Sequence, residues 1–409
     1  MNQTSNAHSE THRKRLHSNV WILTITSLLT DVSSEMLANI LPLFLYNVLG
    51  VRTSIIGLID GVAETTASVV KIYSGALSDK LGKRKWLAVI GYGLSTIAKP
   101  FLYFASTWGW VLGVRFADRV GKGIRTAPRD ALLAGSARPE QRGLAFGLHR
   151  AGDTAGAFIG LGIAALIIWL NQSGTAQLTR PTFQLIVLAS VIPAVLAVII
   201  LALGARETEQ PSAANTKPLR FSLRGMDRRF RAFLVVMVLF TLGNSSDSFI
   251  ILRGQERGLD ILQIMGMLLT FNAVYSLLSG PAGMLSDRMG RKALILTGWI
   301  FYGLIYLGFA LSKTGAQVWL LFGLYGIFYA MTEGIAKAFV ADLVPQEKRG
   351  TAYGLFNAAV GLSALPASLI AGVLWQGVGS WAGFGPSAPF IFGAGMALVA
   401  GVLFKTWIK

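Results

Sequence analysis

Apolar residues run through this chain in long blocks, each closed by a short polar or basic connection. A helix that spans a bilayer needs about 20 mostly apolar residues. The blocks at 19–47, 54–78, 86–106, 109–136, 141–170, 181–204, 231–252, 260–286, 292–312, 316–342, 349–376 and 386–405 therefore predict twelve membrane-spanning helices. The blocks are continuous rather than ten-residue alternations, which argues against a barrel. In hydrocarbon the backbone must satisfy its own hydrogen bonds, so the helix is the remaining solution.

Composition agrees with this pattern: 53% of the 409 residues are hydrophobic, 14% are charged and the mean hydropathy is +0.55. With no cysteine, disulfides, thiolate catalysis and cysteine metal sites are excluded. Of the histidines, His8, His12 and His17 lie in the N-terminal tail, and no metal cluster is expected. Gly121-Lys122-Gly123 lacks the following Ser/Thr and the upstream glycine of a phosphate loop, so no nucleotide or other cofactor is expected. Arg13, Lys14 and Arg15 before an apolar run look like a secretion signal, but the length of the run, with Asp31 and Glu35 inside it, points to an uncleaved first helix.

Of the 37 basic residues, 24 fall on the connections and tails that share a side with the N-terminus and five on the other side, the remaining eight lying within spans. Positive charge stays cytoplasmic, so both termini are expected inside, in a bacterial-type inner (plasma) membrane. The same asymmetry accounts for most of the +17 net charge without nucleic acid as a partner. The longest polar stretch contains Pro211 and Pro218 and separates an N-terminal tail and bundle (1–18 and 19–205) from a second bundle (231–409). This linker, 206–230, either lies on the anionic leaflet through its basic and apolar residues or is a solvated loop.

Two motifs recur at a common spacing. Gly75-Ala76-Leu77-Ser78-Asp79-Lys80-Leu81-Gly82-Lys83-Arg84 returns as Gly283-Met284-Leu285-Ser286-Asp287-Arg288-Met289-Gly290-Arg291-Lys292, an offset of 283 − 75 = 208. Arg142-Gly143-Leu144-Ala145-Phe146-Gly147-Leu148 returns as Arg349-Gly350-Thr351-Ala352-Tyr353-Gly354-Leu355, an offset of 349 − 142 = 207. The expected fold is an all-α membrane protein of two six-helix bundles related by a pseudo-two-fold axis along the membrane normal, with a binding site between them.

The first repeated element resembles the signature loop of the major facilitator superfamily, and its presence in both halves extends the resemblance over essentially the whole chain. The resemblance implies a secondary transporter working by alternating access, with Gly75, Asp79, Lys83, Arg84, Gly283, Asp287, Arg288 and Arg291 locking a cytoplasmic gate. In the fourth helix, Arg119-Val120-Gly121-Lys122-Gly123 is similar to the element that puts an arginine at mid-membrane in proton-coupled antiporters, with Lys122 where the family often has glutamine. In the fifth, Gly143, Gly152, Gly156 and Gly160 fall at the antiporter glycine spacing, with Ala157 for its proline and Leu161 for its last glycine. Simple helix packing explains the same glycines equally well.

Charges inside the spans carry the candidate chemistry, because each costs roughly 2.5 kcal/mol or more at the bilayer centre when unpaired. Basic residues Lys71, Lys99, Arg115, Arg119, Lys122, Arg125, Arg150 and Lys337 face acids Asp31, Glu35, Asp60, Glu64, Asp118, Asp153, Asp247 and Glu333. Depth along the helices puts Asp31 and Arg119 near mid-membrane, with Glu35 one turn from Asp31, and the resemblance puts helices 1 and 4 on the cavity wall. The favoured proton-coupling set is thus Asp31, Glu35 and Arg119, with Arg150 and Asp153, beside His149, as a second group. A lone membrane histidine such as His149 also has a plain structural reading. Substrate contacts are expected from Asp31, Glu35, Arg115, Arg119, Lys122, His149, Asp247, Tyr325, Tyr329 and Glu333, the basic stripe either attracting an anion or pairing with the acids of helices 1 and 2. Trp299, Tyr302, Tyr306, Tyr325, Phe328 and Tyr329 make an aromatic face that is either substrate wall or core.

The leading expectation is a monomeric proton-coupled antiporter that exports a small amphipathic compound. Proton-driven uptake of an organic anion is the second, and a non-transporting receptor or scaffold on the same fold is a third. No enzyme activity is expected.

Overall fold

The computed structural model describes residues 16–138, 141–172, 174–207, 226–345 and 348–408, with Asp79 and Asp287 described by their backbone alone. Within these residues twelve helical spans follow one another: α1 (Ser18–Val48), α2 (Thr53–Leu81), α3 (Arg84–Phe104), α4 (Trp108–Ser136), α5 (Arg142–Gln172), α6 (Arg180–Gly204), α7 (Arg228–Glu256), α8 (Ile261–Met289), α9 (Arg291–Leu311), α10 (Gly315–Leu343), α11 (Arg349–Gln376) and α12 (Ala388–Trp407). Ten are long and apolar enough to cross a membrane, and α2 and α4 complete the set while carrying charge through their middles. An even number of spans leaves both chain ends on one face, called here the terminal side, opposite the far side. Most of the tail expected at 1–18 and the linker at 206–230 lies outside the described residues.

Three spans depart from regular helix. α1 breaks at Asn39, passes Pro42 and ends in a wider π turn, Phe44–Val48. α3 tightens into a 3₁₀ turn over Lys99–Phe104, where Pro100 removes a backbone donor. α7 opens at Asn244–Asp247, and the carbonyl freed at Gly243 accepts the Tyr302 hydroxyl at 2.9 Å. Tyr325 Oη donates to Asn244 Oδ1 at 3.2 Å, so buried tyrosines hold the break that apolar side chains would leave unsatisfied.

The repeated motif repeats its geometry. α2 ends at Gly82 (φ 63°) and α8 at Gly290 (φ 87°), and the amide of each donates to a serine carbonyl, Ser78 or Ser286, at 3.0 Å. Only glycine takes these angles without strain, which is why the second glycine of each motif stops its helix.

Each half packs through small residues, as membrane bundles do. α3 and α4 meet where Gly91 lies against Gly121 and Arg125, and a Cβ at Gly121 would stand 2.6 Å from the Gly91 carbonyl. α5 seats on α1 through Gly152 against Thr24, Gly156 against Leu28 and Asp31, and Gly160 against Val32. Three of the four antiporter-spaced glycines therefore serve packing, while Gly143 faces nothing within 4 Å. At the far end of α7 the fully buried Arg253, just past the apolar block that ends at 252, turns inward. Its guanidinium donates to Phe309 O (3.1 Å), Ala310 O (2.9 Å) and Ser312 O (3.3 Å), covering the open carbonyl end of α9.

The halves meet along two helix pairs, α2 with α11 and α5 with α8. On the far side α2 and α11 are in backbone contact, with Gly57 against the Ser368 carbonyl and Gly372 against that of Thr53, and Thr53 N donates to Gln376 Oε1 at 2.9 Å; nearer the middle, Thr65 Oγ1 donates to Gly361 O at 2.8 Å. Far-side loops add Arg52 to Gly379 O and Gln255 to Ala176 O, each at 2.9 Å. Overpacking at a backbone contact costs about 1–3 kcal/mol. Gly121→Val should accordingly lower the melting temperature of the detergent-purified protein, whereas Gly113→Val, whose Cβ would meet nothing within 4 Å, should leave it close to wild type.

Candidate functional site

Between the halves lies a cavity of ≈ 790 Å³. Along α11 it is lined from Gly350, at the terminal-side end of that helix, to Ser368, and along α2 from Ile72 to Asp60. The outer turns of those helices are closed against one another, so the cavity opens toward the terminal side and is shut on the far side.

The N-terminal wall is charged because α2 and α4 lie side by side with carboxylates on one and cations on the other. Asp60 Oδ1 is 3.7 Å from Arg115 and Glu64 Oε1 is 3.4 Å from Arg119, whose Nε also stands 3.6 Å from Asp118. Arg119 is buried, while more than half of the Glu64 side-chain surface is open to the cavity. Lys71, Lys122 and Glu35 complete this wall, and Glu35 accepts from Asn39 at 2.8 Å.

The C-terminal wall is polar without cations. The break in α7 supplies Asn244, Ser245, Ser246, Asp247 and Ser248, α8 adds Phe271 and Asn272, and α10 adds Phe322 and Tyr329. Side-chain hydrogen bonds join the two walls at Asp60, whose Oδ2 accepts from Ser246 Oγ at 2.8 Å and from Ser248 Oγ at 2.5 Å.

Beside the main cavity, inside the N-terminal bundle, is a second one of ≈ 80 Å³ lined by Asp31, Ser34, Lys99, Asp118 and Arg125 among others. Glu35, Arg115, Arg119 and Lys122 line both and form the partition. Lys99 is buried and donates to Ser33 Oγ (2.5 Å) and Ser34 Oγ (3.2 Å), and the Arg125 guanidinium lies 4.4 Å over the Tyr92 ring.

Several sequence expectations change against this geometry. No ion pair joins Asp31 to Arg119 among the described residues: Arg119 takes Glu64 on α2, and Asp31, packed beside Gly156, faces the small inner cavity rather than the main one. Glu35, Arg115, Arg119, Lys122, Asp247 and Tyr329 do line the main cavity. Tyr325 does not. It is buried in an aromatic cluster with Tyr302, Tyr306 and Phe328 and reaches the site through its hydroxyl, which holds Asn244. His149 is likewise buried, with Nδ1 3.4 Å from Asp153 on its own helix, so neither lines the main cavity.

Arg150 leaves that group and crosses between the halves to Tyr275 Oη at 2.9 Å, and the same hydroxyl donates to Glu333 at 2.6 Å. Glu333 is thus tied to Arg150 through a tyrosine that charge reading overlooked, with Lys337 3.9 Å away on its own helix. The polar run Asn244-Ser245-Ser246-Asp247 was visible as an interruption of an apolar block, a signal for a broken helix at a binding site.

Among the gating residues, Arg291 pairs with Asp342 within the C-terminal half, and the backbone amides of Arg84 and Lys85 donate to Glu207 within the N-terminal half. Gly75 lies against Ala127, Gly283 faces nothing within 4 Å, and Lys83 and Arg288 are exposed. The side chains of Asp79 and Asp287 lie outside the described residues.

Comparison with known proteins bears on the whole chain. The model of the Major Facilitator Superfamily matches residues 23–271 and 232–409, covering both halves. An uncharacterized MFS-type transporter of Methanocaldococcus jannaschii is 38% identical over 398 residues, 95% of each chain. A multi-drug resistance efflux pump of Streptococcus pneumoniae is 24% identical over 323 residues, 77% of this chain and 78% of the pump. In fold, the chain resembles the nucleoside transporter NupG (TM-score 0.77, 14% identity, 96% of this chain and 99% of that one). It also resembles a bacterial homolog of the human lysosomal transporter Spinster (TM-score 0.77, 14% identity, 95% and 96%). With two repeated bundles around a central cavity and a relative matched over nearly its full length, the chain belongs to the Major Facilitator Superfamily and is a membrane transporter rather than an enzyme.

Proposed function

We propose that this transporter exports a small solute from the cytoplasm in exchange for protons. The terminal side is the cytoplasmic face of an inner membrane in this reading, as the basic residues on that face require. The protein acts as a monomer, since the cavity is built within one chain.

One observation carries the reading: Glu64 stands on the cavity wall with its carboxylate shared between open space and Arg119. A carboxylate so placed can take a proton from the cavity, or it can stay ionised beside the guanidinium and accept a hydrogen bond from a solute, but it cannot do both at once. Solute and proton then compete for one pair, which is the coupling an exchanger needs. The named efflux activity of the pneumococcal relative and the antiporter-like element around Arg119 support export. The polar C-terminal wall supports a solute rich in hydrogen-bonding groups, with Phe271, Phe322 and Tyr329 offering faces for an unsaturated ring.

Lys71 and Lys122 on the same wall favour a second reading, proton-driven uptake of an organic anion. Asp31, Arg150 and Asp153 have no direct place in either scheme and act through the packing of the N-terminal bundle and its contact with Tyr275.

A ligand found by thermal-shift screening, followed in proteoliposomes, separates the two. Exchange predicts that an acidic interior drives the ligand inward, and co-transport predicts that an alkaline interior does. Glu64→Gln should still be stabilised by the ligand yet lose gradient-driven flux to about a tenth of wild type or less, the factor expected for roughly 1.4 kcal/mol of lost coupling. Full gradient-driven flux in Glu64→Gln would exclude Glu64 as the coupling group.

A further inference from the structure

Asp60 joins the two walls of the cavity through side-chain contacts to both. It is buried, it lies on α2 one turn toward the far side from Glu64, and its two oxygens face opposite halves of the protein. Oδ1 faces Arg115 of α4 at 3.7 Å, and Oδ2 accepts from Ser246 (2.8 Å) and Ser248 (2.5 Å) of α7. The two serines also bond each other at 3.0 Å, and the Ser248 amide donates to Ser246 Oγ at 3.2 Å, so the broken segment of α7 is shaped around the carboxylate.

We propose that Asp60 is a positioning residue for transport: its negative charge ties α7 to α2 and holds the far side shut, and neutralising that charge releases α7 so that the far side opens.

The chemistry follows from the donors. Both serine hydroxyls point at one oxygen and Arg115 faces the other, so each of these partners is a donor or a cation. A proton on Asp60 removes the attraction of Arg115 and turns the charge-assisted bonds from Ser246 and Ser248 into ordinary neutral ones of roughly half the strength, so the tie weakens.

The other charged groups near Asp60 come from each element around it: Glu64 on its own helix, Arg115 and Arg119 on α4, Glu35 on α1 and Asp247 on α7, all lining the same cavity. α11, which packs against α2 on the far side, presents Gly361, Ala364, Leu365 and Ser368 there and no charge. Closure on that flank rests on backbone contact, and Asp60 supplies the charge-sensitive part. Neutralisation of Asp60 during the cycle rests on the proton-coupled reading above, whereas the tie itself does not.

Because the chain has no cysteine, spin labels can be introduced singly. Exposed Asn171 and Lys313 serve on the far side and exposed Leu81 and Met289 on the terminal side, each replaced by cysteine in pairs and measured by electron–electron double resonance in nanodiscs. At neutral pH, Asp60→Asn and the Ser246→Ala/Ser248→Ala double variant should each shift the Asn171–Lys313 distribution to longer distances and shorten Leu81–Met289. Lowering the pH should produce the same shift in the wild type and none in Asp60→Asn. Wild-type distances in both variants would overturn the tie, and a single cooperative unfolding transition above the measurement temperature in each variant would show that the comparison is of folded proteins. A pH response that persists in Asp60→Asn and vanishes in Glu64→Gln would overturn Asp60 as the charge-sensing residue while leaving proton coupling intact. Flux indifferent to the pH gradient, with the Asp60→Asn shift present, would remove the proton reading alone.

Discussion

A carboxylate placed within a bilayer survives only if cations and donors surround it, and Asp60 meets that demand by drawing partners from two neighbouring helices. Arg115 comes from α4 in its own half, Ser246 and Ser248 from the broken α7 of the other. The cost of an unpaired charge at that depth, roughly 2.5–3.5 kcal/mol on insertion scales, makes the arrangement strongly directional. α2 and α4 must lie side by side, α7 must break where it does, and the halves must meet on the far side. The cavity is what is left on the other side of that contact.

The same logic sorts the rest of the intramembrane charge. Glu64 and Arg119 form the next pair along α2 and α4, facing the cavity. Lys99 and Arg125 sit behind them with serines and an aromatic ring in place of carboxylates. Arg253 directs its donors to the carbonyl end of α9, and Arg150 reaches Glu333 through Tyr275. Buried tyrosine hydroxyls complete the network by satisfying Gly243 and Asn244 where α7 has no ladder of its own. The C-terminal aromatic residues are therefore mostly scaffold for a polar wall, with Tyr329, Phe271 and Phe322 reaching the cavity itself.

The fold was legible because its signals are one-dimensional. Block length gives spans, the distribution of lysine and arginine gives a side, and the offset of Gly75–Arg84 from Gly283–Lys292 gives two related halves. The site was legible in kind but not in pairing. Intramembrane acids and bases announce themselves, yet which carboxylate meets Arg119 depends on the rotation of neighbouring helices. Gly156 against α1 turns Asp31 into the bundle, and Gly123 against Val70 lets α4 approach α2, so Glu64 takes the place expected of Asp31. Arg253 shows a related limit: it lies just past the apolar block 231–252, yet it belongs to the span because its guanidinium finds backbone carbonyls.

The most direct measurement is a double-mutant cycle on Asp60 and Arg115, read by thermal unfolding in detergent. If pairing is what keeps both groups within the bundle, Asp60→Asn and Arg115→Gln should each destabilise the protein by leaving a lone buried partner, and the double variant should recover much of the loss. A double variant that loses the full sum of the two single effects would show that the groups do not depend on one another, and would contradict the account at its base.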